Sequence, residues 1–153
     1  MIGRRKYKQG VFQPIHSEKY TGSHPIIFRS SYELKFCRWC DGNNNVIGWG
    51  SETVIIPYIF GRNGIKPKLR RYFVDFNVTI KDREGNEHKY LIEVKPYKQT
   101  LRPKTTNRKN KRTLIKEQYT YAQNTAKWTA AEAWAKSHGY KFKIITEKEL
   151  KIK

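Results

Sequence analysis

Asp75 and the run Glu93-Val94-Lys95 supply two carboxylates and an ammonium at a spacing suited to phosphoryl chemistry. Carboxylates are the hard oxygen donors that Mg²⁺ takes, and a lysine beside them fits metal-assisted hydrolysis of a phosphate ester. A hairpin would bring them together. From Arg71 to Ile80, Tyr72, Val74, Phe76, Val78 and Ile80 alternate with Phe73, Asp75, Asn77 and Thr79, the period-2 pattern of a half-buried strand. From His88 to Lys95, Tyr90, Ile92 and Val94 alternate with Leu91, Glu93 and Lys95. The polar stretch Asp82-Arg83-Glu84-Gly85-Asn86 between them reads as the turn. Asp75 and Glu93 each lie nine residues from Glu84, so a turn centred there sets them directly opposite. Their Cβ atoms would then be about 5 Å apart, and at an effective dielectric of about 20 their repulsion is roughly 3 kcal/mol. A divalent cation would offset it, and Lys95 returns to the same face. The alternative is a pair of solvated surface charges. Phe73 and Leu91 on that face argue against it, because they make the face partly buried and buried charges need partners.

Other elements must frame this hairpin. Residues 1–28 are basic and Tyr-rich, broken by Pro14, Gly22 and Pro25, and read as an N-terminal arm or loosely structured lead-in. Ser30 to Asp41 reads as a helix, with Ser30 and Glu33 at capping-box spacing and Leu34 and Cys37 on an apolar face. Val46–Trp49 and Thr53–Tyr58 read as short strands, and Gly61-Arg62-Asn63-Gly64 as a turn. From Lys95 to Lys116 there are nine basic residues and no acidic one. Residues 96–114 are expected to form a long basic loop, which in a compact domain is usually functional or disordered. Its Lys98, Arg102, Lys104, Arg108, Lys109, Lys111 and Arg112, with Arg4, Arg5 and Lys6 of the arm, are the expected phosphate contacts. Glu117 to His138 reads as a long helix. Its packing stripe is expected at Tyr119, Ala122, Ala126, Thr129 and Ala133, and Gly139 ends it. Tyr140–Ile145 is a last strand, and Thr146 and Glu149 cap a short terminal helix.

The chain has 153 residues, enough for one domain with a real core. Its 32 Lys and Arg against 13 Asp and Glu give a net charge of +19. That balance points to nucleic acid, where phosphate contacts release counterions. No run approaches transmembrane length and no basic amphipathic helix stands out, so a membrane is not expected as a partner. An RNA-binding protein of ribosomal type fits the charge but not the acid pair. Cys37 and Cys40 form a lone CxxC. No second pair completes a zinc site, and the spacing of His16 and His24 matches no finger, so two buried thiols in a reducing cytoplasm are expected.

The order is a helix with a glutamate, strands, a strand with an aspartate, a strand with Glu-x-Lys, a basic loop, a long helix and a strand. It resembles the PD-(D/E)xK nuclease superfamily over roughly residues 29 to 150. Ser30-Ser31-Tyr32-Glu33, Val46-Ile47-Gly48-Trp49 and Arg71-Tyr72-Phe73-Val74-Asp75-Phe76 look like the TnsA-type endonuclease domain. Small size, basicity and motif order are similar to the head completion nucleases of T-even-type tailed bacteriophages. One departure is Val74, where the superfamily's nominal proline stands before the aspartate. The resemblance implies an α/β restriction-endonuclease-like core, a central mixed β-sheet flanked by helices, as a single domain over 29–153. It implies a Mg²⁺-dependent endodeoxyribonuclease, with Mn²⁺ substituting. Asp75 and Glu93 would bind the metal with the Val94 carbonyl, and Lys95 would orient the attacking water. Glu33 would reach the metal directly or through water, or serve only as a helix cap. Gln118 or Gln123 would face the site. Implied partners are double-stranded DNA and phage head or portal proteins, in the host cytoplasm or the virion. The competing class is a non-catalytic DNA-binding protein of the phage head that retains the fold; it has no use for Lys95 beside two opposed carboxylates.

Overall fold

Asp82 makes the expected turn: its Oδ1 accepts the N–H groups of Glu84 and Asn86, both at 2.9 Å, and Gly85 takes a left-handed φ of 88°. In the computed structural model, which describes residues 9–61 and 66–151, this turn joins two strands of the central sheet. The elements in order are β1 (Gly10–Phe12), β2 (Ile26–Phe28), α1 (Ser31–Gly42), β3 (Val46–Ser51), β4 (Ile55–Phe60), β5 (Lys68–Phe73), β6 (Phe76–Lys81), β7 (Glu87–Val94), α2 (Lys111–His138), β8 (Tyr140–Ile145) and α3 (Glu147–Leu150). The sheet runs β3-β6-β7-β8. Its first two pairings are antiparallel, and β8 joins β7 in parallel after the α2 crossover. This is the expected α/β architecture, a mixed sheet with helices on its faces. The Gly61–Gly64 turn lies largely outside the described residues.

Helices cover both faces. Phe36, Cys37 and Cys40 of α1 pack with Trp49, Phe76, Val78, Ile92 and Val94. On the other face Ala131 and Ala135 of α2 pack with Ile56, Tyr58, Tyr72, Val74 and Leu91. A strand covered on both sides is buried at successive positions, as β7 is from Leu91 to Val94. The two thiols are buried and free. Burial, and next the charge of Glu33, pushes the Cys37 thiol up to about 12, which leaves it unreactive.

Four expectations are corrected. The Arg71–Ile80 strand is two strands, and its alternation changes face at the break: Tyr72 and Val74 pack toward α2, Phe76 and Val78 toward α1. Opposite the break, β3 and β4 carry an extra residue. Ser51 pairs with Phe76, yet Ile55 pairs with Phe73, while Glu52 N–H bonds Asp75 O and Val74 N–H bonds Val54 O. This is a bulge, with Glu52 at a φ of 56°, and bulges re-aim side chains. Helix α2 starts at Lys111, six residues earlier than expected, because Asn110 caps it by accepting from Thr113 N–H; Lys111 and Arg112 are therefore helical. Its inner stripe is Asn124, Ala131 and Ala135, while Ala122, Thr129 and Ala133 face solvent. Finally, much of the lead-in is built into the fold. β1 pairs with β2, and Phe12, Tyr20, Ile26 and Phe28 enter the core. Buried Asp41 holds the intervening chain by accepting Ile15 and His16 N–H at 2.9 and 2.8 Å.

Candidate active site

The register β6 and β7 adopt is the expected one. Phe76 faces Ile92, and every later pair keeps that offset, so the next position beyond the ladder sets Asp75 against Glu93. β6 stops one residue short, and the freed bond is taken by a side chain: Val94 N–H donates to Asp75 Oδ2 at 2.9 Å. Glu93 is only 5% exposed, and it is fully engaged. The Tyr72 hydroxyl donates to its Oε2, and Lys95 Nζ lies 3.3 Å from its Oε1. The two acids and the lysine therefore meet as expected. Their environment differs in one respect. The bulge turns Phe73 outward, 44% exposed, and brings Tyr72 to the site instead.

Burial, followed by the charge of Glu93, pushes the Asp75 carboxyl well above the ordinary range; the Val94 N–H and Lys95 pull the other way. Two anions in a dry site are the arrangement that disfavours ionisation, and a cation would reverse it. Among the described residues no group of three or more His, Cys, Asp or Glu forms a ready metal cage. Mg²⁺ does not need one, since it keeps several waters and is commonly held by one or two carboxylates plus substrate phosphate. The donor set fits.

Glu33 sits in the first turn of α1. Ser30 Oγ accepts its N–H at 3.1 Å, and its Oε2 accepts Arg29 N–H at 2.9 Å. Its capping role is thus present, with the return bond made to Arg29 rather than Ser30. Burial raises its carboxyl; the Arg29 N–H and charge lower it, and Glu52 and Glu93 raise it further. The same acidic field therefore extends to it. Gln123 donates to the Tyr58 hydroxyl at 3.1 Å, and Gln118 is exposed.

Of the expected phosphate contacts, Lys98, Arg102, Lys104, Arg108, Lys111 and Arg112 are exposed along one continuous segment. Lys109 is held by Glu117 Oε2 at 2.6 Å and by Lys104 O at 2.9 Å. Arg4, Arg5 and Lys6 lie outside the described residues. Sequence reasoning missed Tyr72 and Lys127. Both lie on the inward faces that the bulge and the true α2 stripe create. No signal in the sequence alone marked Lys127, because alanine and aromatic residues occur all round α2.

A mixed sheet with an aspartate at a strand break, Glu-x-Lys at the end of the next strand and a glutamate helix beside them is the layout that the endonuclease resemblance implies. The family model for the TnsA-like endonuclease N-terminal domain matches residues 43–147, and the chain belongs to this family. The matched span includes Asp75, Glu93 and Lys95. The chain is also similar to the head completion nuclease of Enterobacteria phage T4, 40% identical over 146 residues, covering 93% of each protein.

Proposed function

We propose that this nuclease is a Mg²⁺-dependent endonuclease that hydrolyses double-stranded DNA during phage head completion. The observation that carries the reading is the Asp75–Glu93–Lys95 cluster at a strand break, with Glu93 buried and Asp75 and Lys95 half-buried, held by Val94 N–H and Tyr72. Asp75, Glu93 and the Val94 carbonyl would hold the metal, with Glu33 reaching it directly or through water. Bound there, the ion would supply Lewis-acid polarisation of the phosphate and a more acidic water. Lys95 orients the attacking water and stabilises the negative charge developing on the phosphoryl oxygens. Tyr72 fixes the Glu93 carboxylate. Attack at phosphorus breaks the P–O3′ bond and leaves 5′-phosphate and 3′-hydroxyl ends.

The exposed basic segment supports the DNA reading. Lys111 and Arg112 open α2, at the positive end of its dipole, where cations are disfavoured unless an anion joins them. Contacts of this kind track the backbone and carry little sequence preference. The name of the phage T4 relative supports a place in head completion. That setting implies head or portal proteins as partners, with the host cytoplasm and the virion as sites of action. Among the described residues no helix is long and apolar enough to cross a membrane.

The test is incubation of plasmid and linear duplex DNA with the protein in Mg²⁺, Mn²⁺ or EDTA, followed by end analysis. Cleavage in either metal, none in EDTA, and 5′-phosphate ends are expected. Tight binding without cleavage in any metal would replace the enzyme by a DNA-binding head protein.

A further inference from the structure

Lys127 lies on the buried stripe of α2, between Asn124 and Ala131, and is half-buried. Its Nζ stands 5.6 Å from the centre of the Tyr72 ring, the same Tyr72 whose hydroxyl holds Glu93. Removing an ammonium from water is costly unless it is paired, yet among the described residues Lys127 has neither an ion pair nor a hydrogen bond. Lys95 differs. It already pairs with Glu93, whereas Lys127 stands near the acid cluster paired with neither of its carboxylates. Burial pushes its ammonium below the ordinary range, Glu93 and Asp75 draw it back up, and Lys95 pushes it down. All three groups of the cluster are therefore close enough to act on it.

A half-buried cation with no ion pair among the described residues, set beside a phosphodiester site, has one evident counter-ion. We propose that Lys127 is a substrate-binding residue, whose ammonium receives a non-bridging oxygen of the DNA backbone at or next to the scissile phosphate. The Tyr72 ring supports the side chain from below, and α2 fixes its position on a rigid element. The inference rests on the Asp75–Glu93–Lys95 centre being catalytic. It adds a second positive contact, supplied by the helix rather than by the Glu-x-Lys strand. Because many phosphate contacts share ground-state binding, losing this one should lower the cleavage rate more than the affinity.

The experiment is single-turnover cleavage by wild type, Lys127→Met and Lys127→Arg. The duplexes carry one neutral methylphosphonate at successive positions around the cut. Lys127→Met should slow cleavage on the order of 100-fold, as removal of a charge-stabilising donor does, with Kd changed by less than about threefold and Lys127→Arg partly restored. At one position the neutral linkage should slow wild type strongly but Lys127→Met hardly at all, the non-additivity expected of groups in contact. Wild-type rates in Lys127→Met would overturn the proposal and leave the active-site reading intact. So would a slowed variant that responds to every methylphosphonate as wild type does, since Lys127 would then act only on structure. Asp75→Asn, run alongside, tests the underlying site: cleavage by that variant would overturn the catalytic reading itself.

Discussion

Two cation-bearing regions adjoin one another at the end of β7, and they are built in opposite ways. At the acid cluster each charged group is tied down: Asp75 to the Val94 N–H, Glu93 to Tyr72 and Lys95, all between two packed cores. In the segment from Lys98 to Arg112 most cations are exposed, and internal bonds are few, notably Lys109 to Glu117 and to the Lys104 carbonyl. Chemistry at phosphorus needs atoms placed within fractions of an ångström, so rigid burial serves it in spite of its electrostatic cost. Gripping a phosphate backbone needs charge and reach, which exposed side chains supply.

The largest effects are expected at the cluster. Glu93→Gln should lower cleavage by about a thousandfold or more while leaving DNA affinity within a few-fold, read by single-turnover rates and a binding isotherm. Lys95→Ala should follow, at about a hundredfold or more. Tyr72→Phe removes one hydrogen bond to a buried carboxylate, worth about 1.5–3 kcal/mol, and should slow cleavage roughly tenfold or more with little change in affinity. In the basic segment the pattern should invert. Replacing Arg102, Lys104 and Arg108 together by Ala should weaken binding and reduce the slope of log K against log salt by about 2.7, at about 0.9 per phosphate contact. The rate at saturating DNA should hardly change. Lys109→Ala should alter that slope least, because Glu117 already occupies its ammonium.

Stability supplies a further contrast. The folded Asp75 carboxyl titrates above its ordinary value of 3.8, so the folded state holds that proton more tightly than the unfolded one. In EDTA its contribution to stability is fully present below about pH 4 and is lost as pH rises through the elevated value. Asp75→Asn should therefore raise Tm in EDTA at neutral pH, with the advantage vanishing in acid. Mg²⁺ should raise the wild-type Tm by mass action. The smallest effect belongs to the helix cap: Ser30→Ala should cost about 1 kcal/mol in denaturant unfolding.

Much of this was legible in the chain. Asp82 and Gly85 fix a turn by local bonding, and the turn fixes the register, so the opposition of Asp75 and Glu93 followed from counting. Gly139 and Thr146 end and begin elements through their own backbone and side-chain preferences. What escaped depends on distant partners. The face change at Asp75 is imposed by an extra residue in the β3–β4 segment, more than twenty positions away. The start of α2 was hidden because its first turns carry the charge of a loop while its cap is a single asparagine. Its inner stripe was hidden because alanine and aromatic residues occur all round the helix, leaving packing on Val74 and Leu91 to choose the face. Tyr72 and Lys127 were missed for those two reasons.

The central claim is that the cluster at the end of β7 is the catalytic centre for DNA hydrolysis. It is tested most directly by measuring DNA cleavage and DNA binding side by side, in Mg²⁺ and Mn²⁺, for wild type, Asp75→Ala and Lys95→Ala. Wild-type cleavage, its loss in both variants and near-equal affinity in all three are the predicted result. Cleavage surviving in Asp75→Ala, or disappearing only in step with DNA affinity, would contradict it.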